Sequence, residues 1–244
     1  MAPDMLWLLV LGVLVVAFLY ASVGHAGASG YIAVMSLLSM APETIKPAAL
    51  SLNILVASIG TWQFWRAGHF RWHLFWPFVL LSAPLAFVGG YLNLPSPLFH
   101  LLLGTVLLYA AAQFMLPVRV EPVPREAPTL LGVASGGGIG LLSGLTGTGG
   151  GIFLTPLMLF MRWSGIKAAA AVSALFILVN STAGLLGNLS STQQFPAFTL
   201  GLVAAAGLGG AIGAHCGSRR FDPAVIRRCL ALVLTIAGLK LILS

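Results

Sequence analysis

Charge is what this sequence has least of. Only 7% of its 244 residues are Asp, Glu, Lys or Arg, against about a quarter in a soluble domain, which excludes a water-soluble globular chain. Asp4, Glu43, Glu121, Glu126 and Asp222 are all the acids, and each falls at an end of the chain or between apolar runs. With no carboxylate at membrane depth, a cation site or a carboxylate proton relay has nothing to be built from. Cysteine is nearly absent too: Cys216 and Cys229 alone make no disulfide framework and read as small packing residues. His69 and His73 stand four apart without a carboxylate or cysteine beside them, so neither a metal nor any other cofactor is expected. The first apolar run lacks the basic start of a signal peptide, having Asp4 in its place. Residues 5–23 are therefore read as part of the working protein.

What is present is apolar. Hydrophobic residues make up 59% of the chain, in ten segments: 5–23, 31–41, 46–65, 72–92, 97–116, 129–146, 152–162, 168–188, 196–216 and 224–243. Eight have about the 20 residues that cross a bilayer; 31–41 and 152–162 have about half that. The chain is expected to be an all-α polytopic membrane protein. Its net charge of +7 is scattered loop by loop, which suits membrane orientation and not nucleic acid.

The segments repeat. Residues 1–116 read long, glycine loop, short, long, long, long, and residues 129–244 read the same way. Ile45-Lys46-Pro-Ala-Ala49 stands against Ile166-Lys167-Ala-Ala-Ala170, and a proline-rich linker, 117–128, joins the halves. Alternating sides along the ten segments places Arg66, Arg71, Arg119, Arg125, Arg162, Lys167, Arg219, Arg220, Arg227 and Arg228 on one face, and Lys46 and Lys240 on the other. By the positive-inside rule the first face is cytoplasmic. Both termini are then periplasmic, in a multi-pass protein of the bacterial inner membrane. The halves become inverted repeats, each with a glycine-broken (re-entrant or short) helix pair and three spanning helices.

Two loops carry the chemistry. Ser143-Gly-Leu-Thr-Gly-Thr-Gly-Gly-Gly151 runs into a short apolar segment, and Gly24-His-Ala-Gly-Ala-Ser-Gly30 does so in the first half. Unwound backbone in lipid is tolerated only where protein buries it or a wet cavity meets it. Inverted repeats with broken helices hold their substrate between the repeats near the midplane. Helices starting at Tyr31 and Ile152 would aim free N–H groups and positive dipole ends there, which suits an anion. The expected substrate-binding set is His25, Ala28, Ser29, Gly30, Asn53, Thr146, Thr148, Gly149, Gly150, Gly151, Ser173 and Asn180. Gly132, Gly136, Gly140 and Gly144 form a smooth packing face, as do Gly209, Gly213 and Gly217. Trp62, Trp65, Trp72 and Trp76 read as an interfacial belt.

An enzyme is the competing class. Gly27-Ala-Ser-Gly30 has the form of the nucleophile motif of rhomboid-type intramembrane serine proteases, but the equivalent second-half stretch, Gly149-Gly-Gly151, has no serine. A purely structural subunit leaves two polar glycine loops unexplained. On the Gly-Leu-Thr-Gly-Thr-Gly-Gly-Gly151 loop with its Ile-Phe-Leu-Thr-Pro156 continuation, and on the two-fold hydrophobic repeat, nearly the whole chain resembles the sulfite exporter TauE/SafE family. In the first half Ala28-Ser29-Gly30 stands where Gly149-Gly150-Gly151 does. The resemblance implies a transporter, and not an enzyme, that moves small sulfur-containing anions such as sulfite, sulfoacetate or other organosulfonates by alternating access. The partners are then a small anionic substrate and the lipid bilayer, with no nucleic acid; assembly as a homo-oligomer stays open.

Overall fold

The computed structural model describes residues 3–22, 27–116, 128–192, 195–196, 198–217 and 223–243. Among them the chain forms ten helices and no strand: α1 Pro3–Ser22, α2 Ala28–Leu37, α3 Pro42–Arg66, α4 Trp72–Tyr91, α5 Ser96–Met115, α6 Thr129–Thr146, α7 Gly151–Phe160, α8 Ile166–Thr192, α9 Thr199–Gly217 and α10 Pro223–Leu243. Each apolar run of the sequence has become one helix. Six of them, α1, α3, α4, α5, α6 and α8, are long and apolar enough to cross a membrane. α2 and α7 have only 10 residues each, about 15 Å of helix. Breaks fall where the sequence dictates: Arg71 is extended ahead of α4, prolines open α5 and α10, and Gly147 ends α6 in the left-handed conformation.

The helices gather into two compact units. The first holds residues 1–56, 94–117 and 195–244; the second holds 57–93 and 118–194. Each draws helices from both halves of the sequence, and α3 passes from one to the other after Val56.

In the first unit α1 lies on α9 through two glycines. A Cβ on Gly209 would strike the carbonyl of Leu14, and one on Gly213 the carbonyl of Phe18. α5 and α10 meet antiparallel at Gly104 and Gly238. α2 folds back along α1, so that Gly12 faces Val34 and Gly30 faces Val16 and Tyr20. Its C-terminal end is held by α10: Lys240 Nζ donates to Ser36 O at 3.1 Å, Leu37 O at 2.8 Å and Ser39 Oγ at 2.8 Å. Carbonyls of the last turn lack the full set of helical donors, and a cation suits the negative end of the dipole.

In the second unit the expected glycine face of α6 is the contact with α4. Gly136, Gly140 and Gly144 abut the backbones of Phe78, Ser82 and Ala86. The paired numbers rise together, so α4 and α6 run parallel. α8 joins α4 in the same direction, with Asn180 bonded to Ser82 and Ser191 to Asn93, and with Gly187 against Phe87. α7 returns antiparallel to α8, packing Leu154 and Met158 against Val172 and Phe176 in an apolar core that includes Phe78 and Trp163. Thus α6 and α7 together start and finish on the same side of the unit. Trp65 stacks on Phe70 with centroids 5.0 Å apart, and Arg66 lies over Trp62 at 5.7 Å. Trp62, Trp65, Trp72 and Trp76 are all exposed, as an interfacial belt requires.

Candidate functional site

The second glycine turn is built from three left-handed residues, Gly147, Gly149 and Gly150, with φ of 81°, 74° and 82°. Side chains resist that conformation, so only this composition can leave α6 and enter α7 in four residues. Gly147 N–H returns to Ser143 O at 2.8 Å, closing α6. Gly150 caps α7, its carbonyl accepting from Phe153 and Leu154 N–H, both at 3.1 Å. The N–H groups of Gly151 and Ile152 precede the first helical bond and have no carbonyl upstream within the helix. Thr146 Oγ1 donates to Leu142 O at 2.7 Å and lies 3.0 Å from Thr148 Oγ1. Both threonines are buried. Behind the turn, a Cβ on Gly150 would meet Phe176 at 2.9 Å and Ile139 at 3.0 Å, and one on Gly151 would collide with Ile177. The Cα faces of these glycines are therefore pressed into the core, while the N–H edge at the start of α7 keeps no helical acceptor.

Ser173 and Asn180 lie on α8 on either side of that contact. Ser173 Oγ accepts from Thr155 Oγ1 at 2.8 Å, tying α7 to α8. Asn180 is fully buried, and its Oδ1 accepts from Ser82 Oγ at 2.8 Å. The structure thus brings Thr146, Thr148, Gly149, Gly150, Gly151, Ser173 and Asn180 together around the start of α7.

Among the described residues of the first glycine loop, in the other unit, Gly27 is left-handed, at φ 77°, and α2 begins at Ala28, not at Tyr31. Ala28, Ser29 and Gly30 form its first turn because alanine and serine accept helical angles there, whereas α7 begins at Gly151, one residue before Ile152. The caps match closely, Gly27 at φ 77°, ψ −3° and Gly150 at φ 82°, ψ −14°. Gly27 therefore corresponds to Gly150, a register that moves the Ala28-Ser29-Gly30 pairing by two residues. At the far ends, Ser39 and Arg162 are the left-handed residues, with φ 55° and 60°. Each closes a Schellman motif: Met40 N–H returns to Met35 O at 3.1 Å, and Trp163 N–H to Met158 O at 2.8 Å.

Ser29 Oγ pairs with Tyr20 OH at 2.7 Å. Two hydroxyls sharing one bond keep one O–H proton to give elsewhere. Among the described residues, the partner of this serine is thus the Tyr20 phenol. Asn53 is fully buried on α3, and His25 lies outside the described residues. Tyr20, Tyr31, Ser82 and Ser143 were missing from the sequence-derived set. Tyr31 OH and Ser143 Oγ are buried without a hydrogen-bond partner, and the Tyr31 hydroxyl comes within 2.7 Å of where a Gly27 Cβ would stand. The signal for Tyr31 was a phenol directly after the glycine loop. Ser82 gave none, being one serine in an apolar run. A cavity of about 330 Å³ between α1, α2 and α10 has aliphatic walls apart from Tyr20 and is unsuited to an anion. Among the described residues no group of three or more His, Cys, Asp or Glu could hold a metal.

Comparison with known proteins agrees with this picture of a glycine-turned membrane protein. The chain is 40% identical over 233 residues, 93% of its length and 94% of the relative's, to the probable membrane transporter protein y4hK of Sinorhizobium fredii. It is 25% identical over 186 residues, 68% of each chain, to the probable membrane transporter protein YunE of Bacillus subtilis. No solved structure matches. Residues 8–241 match the model of the family described as sulfite exporter TauE/SafE, so the chain belongs to that family of membrane transporters.

Proposed function

We propose that this transporter exports small sulfur-containing anions, sulfite or an organosulfonate such as sulfoacetate, by alternating access across the bacterial inner membrane. The observation that carries the reading is the α6–α7 turn. Gly147, Gly149 and Gly150 hold the free N–H groups of α7 in buried surroundings where the described residues place no carboxylate. Backbone N–H groups and a positive dipole end at low dielectric favour an oxyanion. The Gly27 turn of α2, with the Tyr20–Ser29 hydroxyl pair beside it, is the corresponding device of the first half. The matched caps of α2 and α7 support a repeat, and the loop-by-loop basic residues support its inversion, with both termini periplasmic.

A potential negative inside supplies roughly 2.3 kcal/mol per charge per 100 mV, about a fiftyfold gradient for a monoanion. Export then needs no second fuel. The test is flux of sulfite, sulfoacetate and chloride from liposomes holding the purified protein, with the potential clamped. Saturable, potential-dependent movement of the sulfur anions is expected, and chloride should not compete. Equal leakage of all three would refute the reading.

A further inference from the structure

Within the second unit a buried polar pair remains whose geometry the glycine turn alone does not explain. Ser82 on α4 and Asn180 on α8 sit at the same level as Gly140 of α6, which abuts the Ser82 backbone. Ser82 Oγ donates to Asn180 Oδ1 at 2.8 Å. That bond fixes the amide: its oxygen faces α4, and its NH2 is turned away from α4. Asn180 is fully buried, yet Nδ2 has no hydrogen-bond partner. Buried amide donors are nearly always satisfied, so an acceptor is owed here.

Its position says which acceptor. Gly150 packs on Phe176 and Gly151 on Ile177, and α7 runs antiparallel to α8. Asn180 follows Phe176 and Ile177 by one helical turn, on the side toward which the open start of α7 points. The turn from Thr146 down to Gly151 crosses this same level. Ser143 lies beside it on α6, and its hydroxyl is buried and unpartnered. The hydroxyls of Ser135 and Thr146, by contrast, return to Leu131 and Leu142 carbonyls. The Asn180 NH2 and the N–H groups of Gly151 and Ile152 can only donate, the one amide acceptor is already taken by Ser82, and the Ser143 hydroxyl can turn to either role.

We propose that Ser82 is a positioning residue that turns the Asn180 amide so its NH2 donates to an oxyanion held at the start of α7, making this site selective for anions that carry no O–H of their own. The inference rests on the anion-transport reading and names the specificity of that site. A fully deprotonated sulfonate offers three acceptor oxygens and meets every donor. A phosphonate that keeps a P–OH sets a donor against the amide NH2 and backbone N–H groups, which can only donate, and so loses an acceptor oxygen there.

Sulfoacetate and phosphonoacetate separate these cases, having nearly the same shape, when binding to the purified full-length protein is measured by calorimetry at pH 6. The wild type should prefer sulfoacetate by tenfold or more. Asn180→Asp exchanges the NH2 for an acceptor at constant size. It should weaken sulfoacetate at least tenfold and narrow or invert the preference. Ser82→Ala should weaken sulfoacetate about threefold to tenfold, but should change nothing further when added to Asn180→Ala. A merely structural serine would instead act equally in both backgrounds and leave the preference intact. Wild-type preference retained in Asn180→Asp, or additive effects of Ser82→Ala, overturns the inference while the transport reading stands. A wild type that binds neither anion fails the transport reading, and this inference with it.

Discussion

Gly138 and Gly140, two residues apart on α6, should respond to alanine with opposite sign. A Cβ on Gly138 meets nothing within 4 Å. Gly138→Ala then gains only the helix preference of alanine, roughly 0.5–1 kcal/mol. A Cβ on Gly140 would lie 2.5 Å from Ser82 Cα and 2.7 Å from Ser82 C, and closer still to Ser82 O. Ordinary carbon contacts need about 3.5–4.0 Å, and backbone cannot rotate aside, so α4 and α6 must part by about 1 Å. Overpacking of this kind costs about 1–3 kcal/mol. The upper end applies here, since Gly136 and Gly144 lose contact on either side. Set against the propensity gain, Gly140→Ala should lose about 2 kcal/mol net. Reversible unfolding in mixed micelles, comparing each variant with wild type, measures both values. Equal stability of the two variants would refute the claim that α6 approaches α4 through its glycine face.

Lys240→Met should remove three bonds to the end of α2. The expected cost is about 1–2 kcal/mol at this partly exposed site, with faster hydrogen exchange at residues 36–40 and little change in α7. Single cysteines at Gly165 and Gly201, where a Cβ meets nothing within 4 Å, should label from opposite sides, Gly165→Cys from the cytoplasm and Gly201→Cys from the periplasm. Labelling from one side would break the proposed alternation of α8. Tyr20→Phe and Ser29→Ala each delete half of one hydroxyl pair and should slow sulfite flux by similar factors. A proteolytic activity lost only in Ser29→Ala would instead favour the enzyme reading.

The sequence made the elements legible because hydrophobic runs and glycine breaks act locally. All ten helices start and stop within a few residues of their apolar segments. The glycine face of α6 was equally plain, since a spacing of four marks one side of a helix wherever its partner lies. That the partner is α4 could not be read, because it depends on which helices meet after folding. Ser82 stayed invisible for the same reason: its meaning comes from Asn180, 98 positions away. The start of α2 was misplaced because Ala28-Ser29-Gly30 looks like loop by composition, while the left-handed Gly27 already caps the helix before them. That a Cβ on Gly150 would face Phe176 and Ile139 was likewise beyond the sequence, since both neighbours lie on other helices. A leucine there disrupts the core besides any ligand, and is a poor probe of transport.

The paired stops of α2 and α7 restrict how this protein can change. Gly27 and Gly150 open the two segments and Ser39 and Arg162 close them, each pair 123 positions apart. Met35 and Met158, with the same separation, supply the carbonyl that each closure needs. Between those points nearly every side chain differs, so what the two segments share is their length. One extra residue would swing the closing turn by about 100° around the axis. It would also push the next helix along by about 1.5 Å, with both ends already committed. The segments behave as rulers, fixed by where their ends turn and not by the side chains marked along them.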